Sequence, residues 1–532
     1  MIGFRKRLVA TLVWIACRCT FRRDSARTSA LADSRLPASK ESKSHSTQAA
    51  RFKLAPPPIS FRRLEPRRVL SVNATFAAGV LNIEILAAEG STDASLMSDG
   101  STHFFVDANG NQTYDAGAGE LQGLLAQLNQ VQVVGDAGIG NFSWRSDFSL
   151  SPLGAPSGNA VEVSQVANID LSATASVAGN VSLSAAQSIQ LGGELAIQGD
   201  LNAQTASPSG QIANIAGGSL EVAGHTDLSA HAIDLGNQAG DQLSLNSLTI
   251  TSDGAVDISE DGSATDIATQ LTGANTANLL HLSNNGSITL ANGATITVDG
   301  ELQLSANGVD ADLDVDGSIT SINGNVDLLA SNQVTLGSSA SMMVGGNGAL
   351  SIGAQGSGID LTDGSQLSVD QGSVFLSATG VPGAEIHLSQ ISSGSGSTAT
   401  FTVEATGDIL DGTAGEAANI SAPTGTLVLR SLNGSIGADP GNAAGDIDID
   451  VQNLQFHAGA ALGTVHVTDL AGGLRIHAVS QSGASAIVSA LSPLVIAANV
   501  NVGASSTFTA GDSPLAGDNL TIENAAIVTL TS

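Results

Sequence analysis

The sequence is poor in the residues that most globular cores and most catalytic sites draw on. Its 532 residues include two Cys, two Trp, one Tyr and 13 Phe, and aromatic residues make up 3% of the chain. Both cysteines, Cys17 and Cys19, lie near the start, so the rest of the chain has no disulfide and no thiolate metal ligand. Cysteine therefore leaves the compartment undecided. Beyond Arg68 there is no Lys, and the arginines are Arg145, Arg430 and Arg475. Neutralising phosphates requires a basic stripe, so this acidic body is excluded as a nucleic-acid binder. Nor is there an apolar run near the roughly 20 residues that a transmembrane helix needs.

Charge is unevenly distributed. Residues 1–68 hold 16 of the 19 basic residues and four of the 49 acidic ones, and the whole chain carries a net charge of −30. A basic segment ahead of an acidic body reads as an export or membrane-proximal leader. Arg5, Lys6 and Arg7 precede a ten-residue apolar run from Leu8 to Cys17, the length of a signal-peptide core. A lipoprotein reading of Cys17 is weakened by Trp14, which stands where a lipobox usually has Leu. From Arg18 to Ser60 the chain is rich in Ser, Ala, Arg and Pro and closes with Pro56, Pro57 and Pro58, the composition of an unstructured linker. Residues 1–71 are thus expected to be a largely disordered export leader.

The stretch FRRLEPRRVLSVN contains Leu64, Glu65, Pro66, Arg67, Val69, Leu70 and Ser71. It resembles the LEPR-XLL motif at the start of many very large exported bacterial surface proteins, with Val69 replacing the first of the usual two Leu. The resemblance implies export to the cell surface, secreted or retained there, and implies nothing about activity. The alternative is a chance basic amphipathic turn.

Internal repetition is the strongest signal. GELQLSA, GNVDLLA, GALSIGA and GSVFLSA begin at Gly300, Gly324, Gly348 and Gly372, and weaker copies begin at Gly179, Gly199, Gly224, Gly254, Asn278 and Gly425. Their alternation has the period of a half-buried strand. Leu302, Leu304, Val326, Leu328, Leu350, Ile352, Val374 and Leu376 are expected to face inward, and Gln303, Ser305, Asp327, Ser351 and Ser377 outward. Further apolar pairs, such as Val334 with Leu336 and Met343 with Val344, place three short strands in each unit. A unit of this size cannot enclose its own apolar face, whereas stacked units share one interior. The expected fold is all-β: a right-handed parallel β-helix over residues 163–532, a solenoid of about 24 residues per coil. Aliphatic stacking in a narrow interior explains the lack of large rings. The GNVSLSA, GSITLA and GELQLSA phrases also resemble the filamentous haemagglutinin-like repeats of secreted bacterial adhesins. That resemblance implies a rod-like surface or matrix protein.

Residues 72–162 differ, holding Tyr114, Trp144 and a helix-like segment from Glu120 to Gln130. They are expected to cap the first coils, because an open β edge invites aggregation. The terminal ENAAIVTLTS has no such cap, so a continuation or a pairing partner is expected at the C-terminal coil.

Within the cap, VDANGNQTYDAGAGE places Asp107, Asn109, Asn111 and Asp115 at positions 1, 3, 5 and 9 of an EF-hand-like loop. Gln112 stands where such a loop wants Gly, and Glu120 falls at position 14 where a bidentate Glu belongs at 12. The alternatives are a calcium site and a solvated turn held by Asx caps. Two acidic runs, Asp310, Asp312, Asp314 and Asp316, and Asp446, Asp448 and Asp450, alternate with apolar residues and read as solvated strand faces.

The expected function is non-catalytic: an adhesin-like rod whose partner is a surface or matrix polysaccharide or protein. A polysaccharide lyase or hydrolase on the same scaffold is the alternative. Against it, the repeats offer Arg430 and Arg475 but no Trp or Tyr platform for sugar rings. The histidines from His225 to His477 are scattered without metal spacing, and Gly511-Asp512-Ser513 lacks the strand-to-helix context of an esterase nucleophile.

Overall fold

A computed structural model describes residues 72–86, 93–116, 120–136, 138–150, 158–260, 268–437, 445–459, 463–480, 485–511, 518–523 and 525–531. The leader, the LEPR-XLL-like residues Leu64 to Ser71, and Asp512 with Ser513 lie outside them. The chain divides into Met1–Pro66 and Arg67–Ser532, and every described strand belongs to the second unit.

That unit is a parallel β-solenoid of about 15 turns spaced about 24 residues apart, 61% strand and with no α-helix among the described residues. Three walls are built from inward columns. On the first wall Ile233, Val256, Leu280, Leu302, Val326 and Leu350 stand in parallel register, and the column continues through Val374, Phe401, Leu427 and Leu454. The second wall carries Ile288, Leu313, Val334, Ile359 and Ile386. On the third, Ile296, Ile319, Met342, Leu367, Ile391, Ile420 and Ile449 align. These side chains are essentially buried, and each contributes roughly 1.5 to 3 kcal/mol by leaving water.

The leading glycine of the repeat is needed for close approach between coils. A Cβ on Gly324 would lie 2.0 Å from the Gly300 carbonyl carbon, and one on Gly372 would lie 1.6 Å from the Gly348 oxygen. No side chain fits where these backbones stack.

The inward set is as the alternation predicts, but one reading needs correction. Ser305 is buried rather than outward-facing in water: Gln303 donates to its hydroxyl at 3.4 Å, and Leu329 stands in register beside it. The repeat phrases also do not form one column. The phrase beginning at Gly224 leads from Thr226 to Leu248, Leu271 and Leu290, on the second wall, whereas Val256 of the phrase at Gly254 pairs with Ile233 and Leu280 on the first. Register is decided by which apolar pairs fill the interior, and similar phrases fit either wall.

Toward the N-terminus the ladder becomes mixed. The antiparallel pairs among the described strands are Val72–Ala77 with Val80–Ile85, Asp93–Ser98 with His103–Asp107, and the latter with Leu121–Leu124. Trp144, Phe104 and Phe142 are buried here, and Trp144 packs on Phe148 with ring centroids 4.7 Å apart. Strand Asn159–Leu171 joins this region to the next coils, so the ladder crosses residue 162 without a break. The expected helix from Glu120 to Gln130 is instead the strand Leu121–Leu124, a 3-10 turn Leu125–Gln127 and the start of Gln130–Gly135. Gly123 supplies the reason. The Phe104 ring lies 2.5 Å from where its Cβ would stand, and glycine costs a helix interior about 1 kcal/mol.

Candidate functional site

The loop after strand His103–Asp107 gathers all five residues singled out as cation ligands. Asp107 is 1% exposed, and its Oδ1 accepts from the backbone N–H of Asn109 at 3.1 Å and Gly110 at 2.7 Å. Its Oδ2 accepts from Gln112 N–H at 2.8 Å. Gln112 has φ +62°, so the backbone makes the left-handed turn without the glycine, at a cost of roughly 1 to 2 kcal/mol. Asn109 Nδ2 donates to Glu120 Oε1 at 2.8 Å, and Asn111 Nδ2 donates to Asp115 Oδ2 at 2.6 Å. Glu120 Oε2 accepts from Asp115 N–H at 2.7 Å.

Despite its offset spacing, Glu120 thus reaches back and closes the loop. Burial raises its carboxyl above the usual range; hydrogen bonds from Asp115 and Ala108 oppose this, and the charges of Asp107 and Asp115 add to it. The donor set is all oxygen and suits a hard cation. In this arrangement, however, the oxygens are engaged by backbone and amide donors. Three carboxylates converging within 4.8 Å occur elsewhere among the described residues, not here.

No family model, curated protein or solved structure matches the chain. The reading of function therefore rests on its own residues.

The two acidic runs behave differently. Asp314 lies on an outward strand face between Thr289 and Thr335, with its carboxyl raised by partial burial and then by Asp312 and Asp316. Asp310, with φ +57°, sits in the turn before the strand rather than on it. The second run is not a solvated face. Asp446 is 7% exposed and Asp448 2%.

The reason is an irregular corner. Ile391 and Ile420 are in register although 29 residues separate them, and in the next coil so are Ser421 and Asp450, against the usual spacing of about 24. The extra residues of the first coil form the segment 412–419, between strands Ile409–Asp411 and Ile420–Ser431. Ala417 and Ala418 of this segment line one side of a groove of about 450 Å³; Met343, Gln366, Ser368 and Gln390 on the third wall are among its other residues. The stretched period was visible in the sequence, because the GxLxLxA phrase slips from its 24-residue spacing after Gly372. What that slip brings together was not.

Proposed function

We propose that this chain is a non-catalytic, exported surface or matrix protein whose solenoid holds a repeated polar face for attachment. The observation that carries this reading is the outward ladder. Thr289, Asp314 and Thr335 stand in register on one wall, and Gln366 with Gln390 and Ser368 with Ser392 on another. Rows of hydroxyl, amide and carboxylate groups repeating at about 4.8 Å present many equivalent weak contacts to a polymer. The 450 Å³ groove beside Ala417 and Ala418 lies on the second of these walls, and the exposed Met343 adds an apolar contact to it. The oxygen-rich loop from Asp107 to Glu120 would take calcium, as a clamp on the N-terminal coils, if the Asn109 and Asn111 amides turned away from Glu120 and Asp115. No helix among the described residues is long and apolar enough to cross a membrane. Leu520, Ile522 and Leu530 in the last strands are about half exposed, which suits a further strand pairing there.

Screening the purified chain against surface and matrix polysaccharides and proteins tests the proposal. Saturable binding without products supports it, and turnover of a polysaccharide refutes it. Turnover would favour the second reading, a carbohydrate-active enzyme. One observation speaks for that reading: Asp448 is pushed up to about 7, chiefly by burial and then by Asp446, Glu416 and Asp411, a value suited to a general acid. Against it, the described ion pairs of Arg430 and Arg475 go to Glu404 and Glu523, away from this cluster.

A further inference from the structure

We propose that Glu416, Asp446 and Asp448 form a binding site for a hard divalent cation of calcium's size, at the corner where two successive coils depart from the regular period. Each of the three offers a carboxylate oxygen, and these atoms lie within 4.8 Å of one another. Oxygens that share one ion at about 2.4 Å can be no farther apart than about 4.8 Å. The inference does not depend on the adhesive reading, nor on the loop from Asp107 to Glu120.

Proximity of carboxylates alone says little, since acidic groups gather on many surfaces. Here one of them is orphaned. Asp448 is 2% exposed, its carboxylate faces Asp446 and Glu416, and its Oδ1 has no hydrogen-bond partner. A buried acceptor without a donor is unusual, and an ion is one of the few things that satisfies it. No described ion pair involves any of the three residues, and the chain has no Lys beyond residue 53.

The surroundings hold the oxygens in place. Asn419 N–H donates to the Asp448 backbone carbonyl at 2.8 Å, and Asp448 N–H donates to Asn419 Oδ1 at 2.8 Å. Asn419 Nδ2 in turn donates to Asp411 Oδ1 at 2.6 Å. Asp411 Oδ1 also accepts from the Thr413 N–H and hydroxyl, so Asp411 frames the segment that carries Glu416. The Thr468 hydroxyl donates to Asp446 Oδ2, which orients that carboxylate. Asp446 and Asp448 come from one coil and Glu416 from the coil before it, so an ion here would tie the two widened turns together. Water completes the coordination from the side of the exposed Glu416.

Around Asp448 stand Asp446 and Asp450 on its own chain segment, Glu416 and Asp411 from the preceding coil, and Thr468, Asp469 and His466 from the following strand, with no lysine or arginine among them.

The test is calorimetric titration of the chelator-stripped full chain with calcium chloride, in an Asp107→Asn background that disables the other loop. Uptake of one ion is expected. Glu416→Gln should weaken it by about tenfold or more, and Asp448→Asn should abolish it. Glu416 is exposed, so Glu416→Gln leaves the coil stack intact and reports even if Asp448→Asn fails to fold. No uptake at millimolar calcium, or uptake unchanged by Glu416→Gln, overturns the proposal.

Discussion

Glu260 offers a way to measure what this interior does to a charge. It is 2% exposed; Oε2 accepts from Leu245 N–H at 2.8 Å, and Oε1 accepts from the Thr269 hydroxyl at 2.6 Å. Asn284 Nδ2 donates to Thr269 Oγ1 at 2.7 Å. Burial outweighs these neutral donors and pushes the carboxyl from 4.5 to about 7. The folded state therefore keeps a proton that the opened chain gives up. The stabilisation is complete below pH 4.5, is lost as pH climbs toward 7, and is absent above it. At 1.36 kcal/mol per pH unit the total is roughly 3 kcal/mol.

Glu260→Gln reproduces the protonated pattern, its carbonyl accepting from Leu245 N–H and its amide donating to Thr269. The variant should therefore match the parent near pH 5 and exceed it at pH 8 by up to roughly 3 kcal/mol. Solenoids open coil by coil, so the assay is native-state hydrogen exchange at the Leu245 amide rather than a global melt. Parental protection that is flat from pH 5 to 8, or a Gln variant less protected at pH 8, would refute the reasoning.

Other outcomes follow from single contacts. Leu328→Asp puts an unpaired carboxylate between Leu304 and Ile352 and should cost on the order of 5 kcal/mol, seen as early loss of the central coils in urea. Gln303→Asp, exposed but opposite Asp327, should cost less than about 1 kcal/mol in the same titration. Gly324→Ala should cost at least about 2 kcal/mol, because its Cβ meets the Gly300 backbone. At Gly293, with φ +78° and open space around it, alanine should cost about 1 kcal/mol, and equal losses at the two glycines would contradict the close-approach argument. Calcium should raise the melting temperature of the parent, and Asp107→Asn should remove the contribution of its loop; a rise unaltered in that variant denies the loop a role.

Several features were legible because they depend on short-range pattern. Alternation at Leu302, Leu304, Val326 and Leu328 assigns those side chains to the interior whatever the neighbouring coil does. The glycine that opens each phrase marked the unit length, although its cause, backbone contact between Gly300 and Gly324, needed coordinates. The Glu120 to Gln130 segment was misread because its leucine spacing fits a helix as well as an edge strand. The Phe104 ring that claims the space at Gly123 comes from a different strand. The Asp107 loop was found because its oxygen-bearing residues are close in sequence. Asp448 and Glu416 were not, because they meet only through the stacking of two coils.

Composition and periodicity alone determined that this chain is a stack of short β coils with an aliphatic interior and an acidic exterior, because a two-residue alternation repeated every 24 residues has few other ways to leave water. The tertiary structure decided which phrase lies on which wall and where a widened corner buries carboxylates that the alternation placed in solvent. Those outcomes depend on register between coils, and register is chosen by the fit of side chains far apart in the sequence.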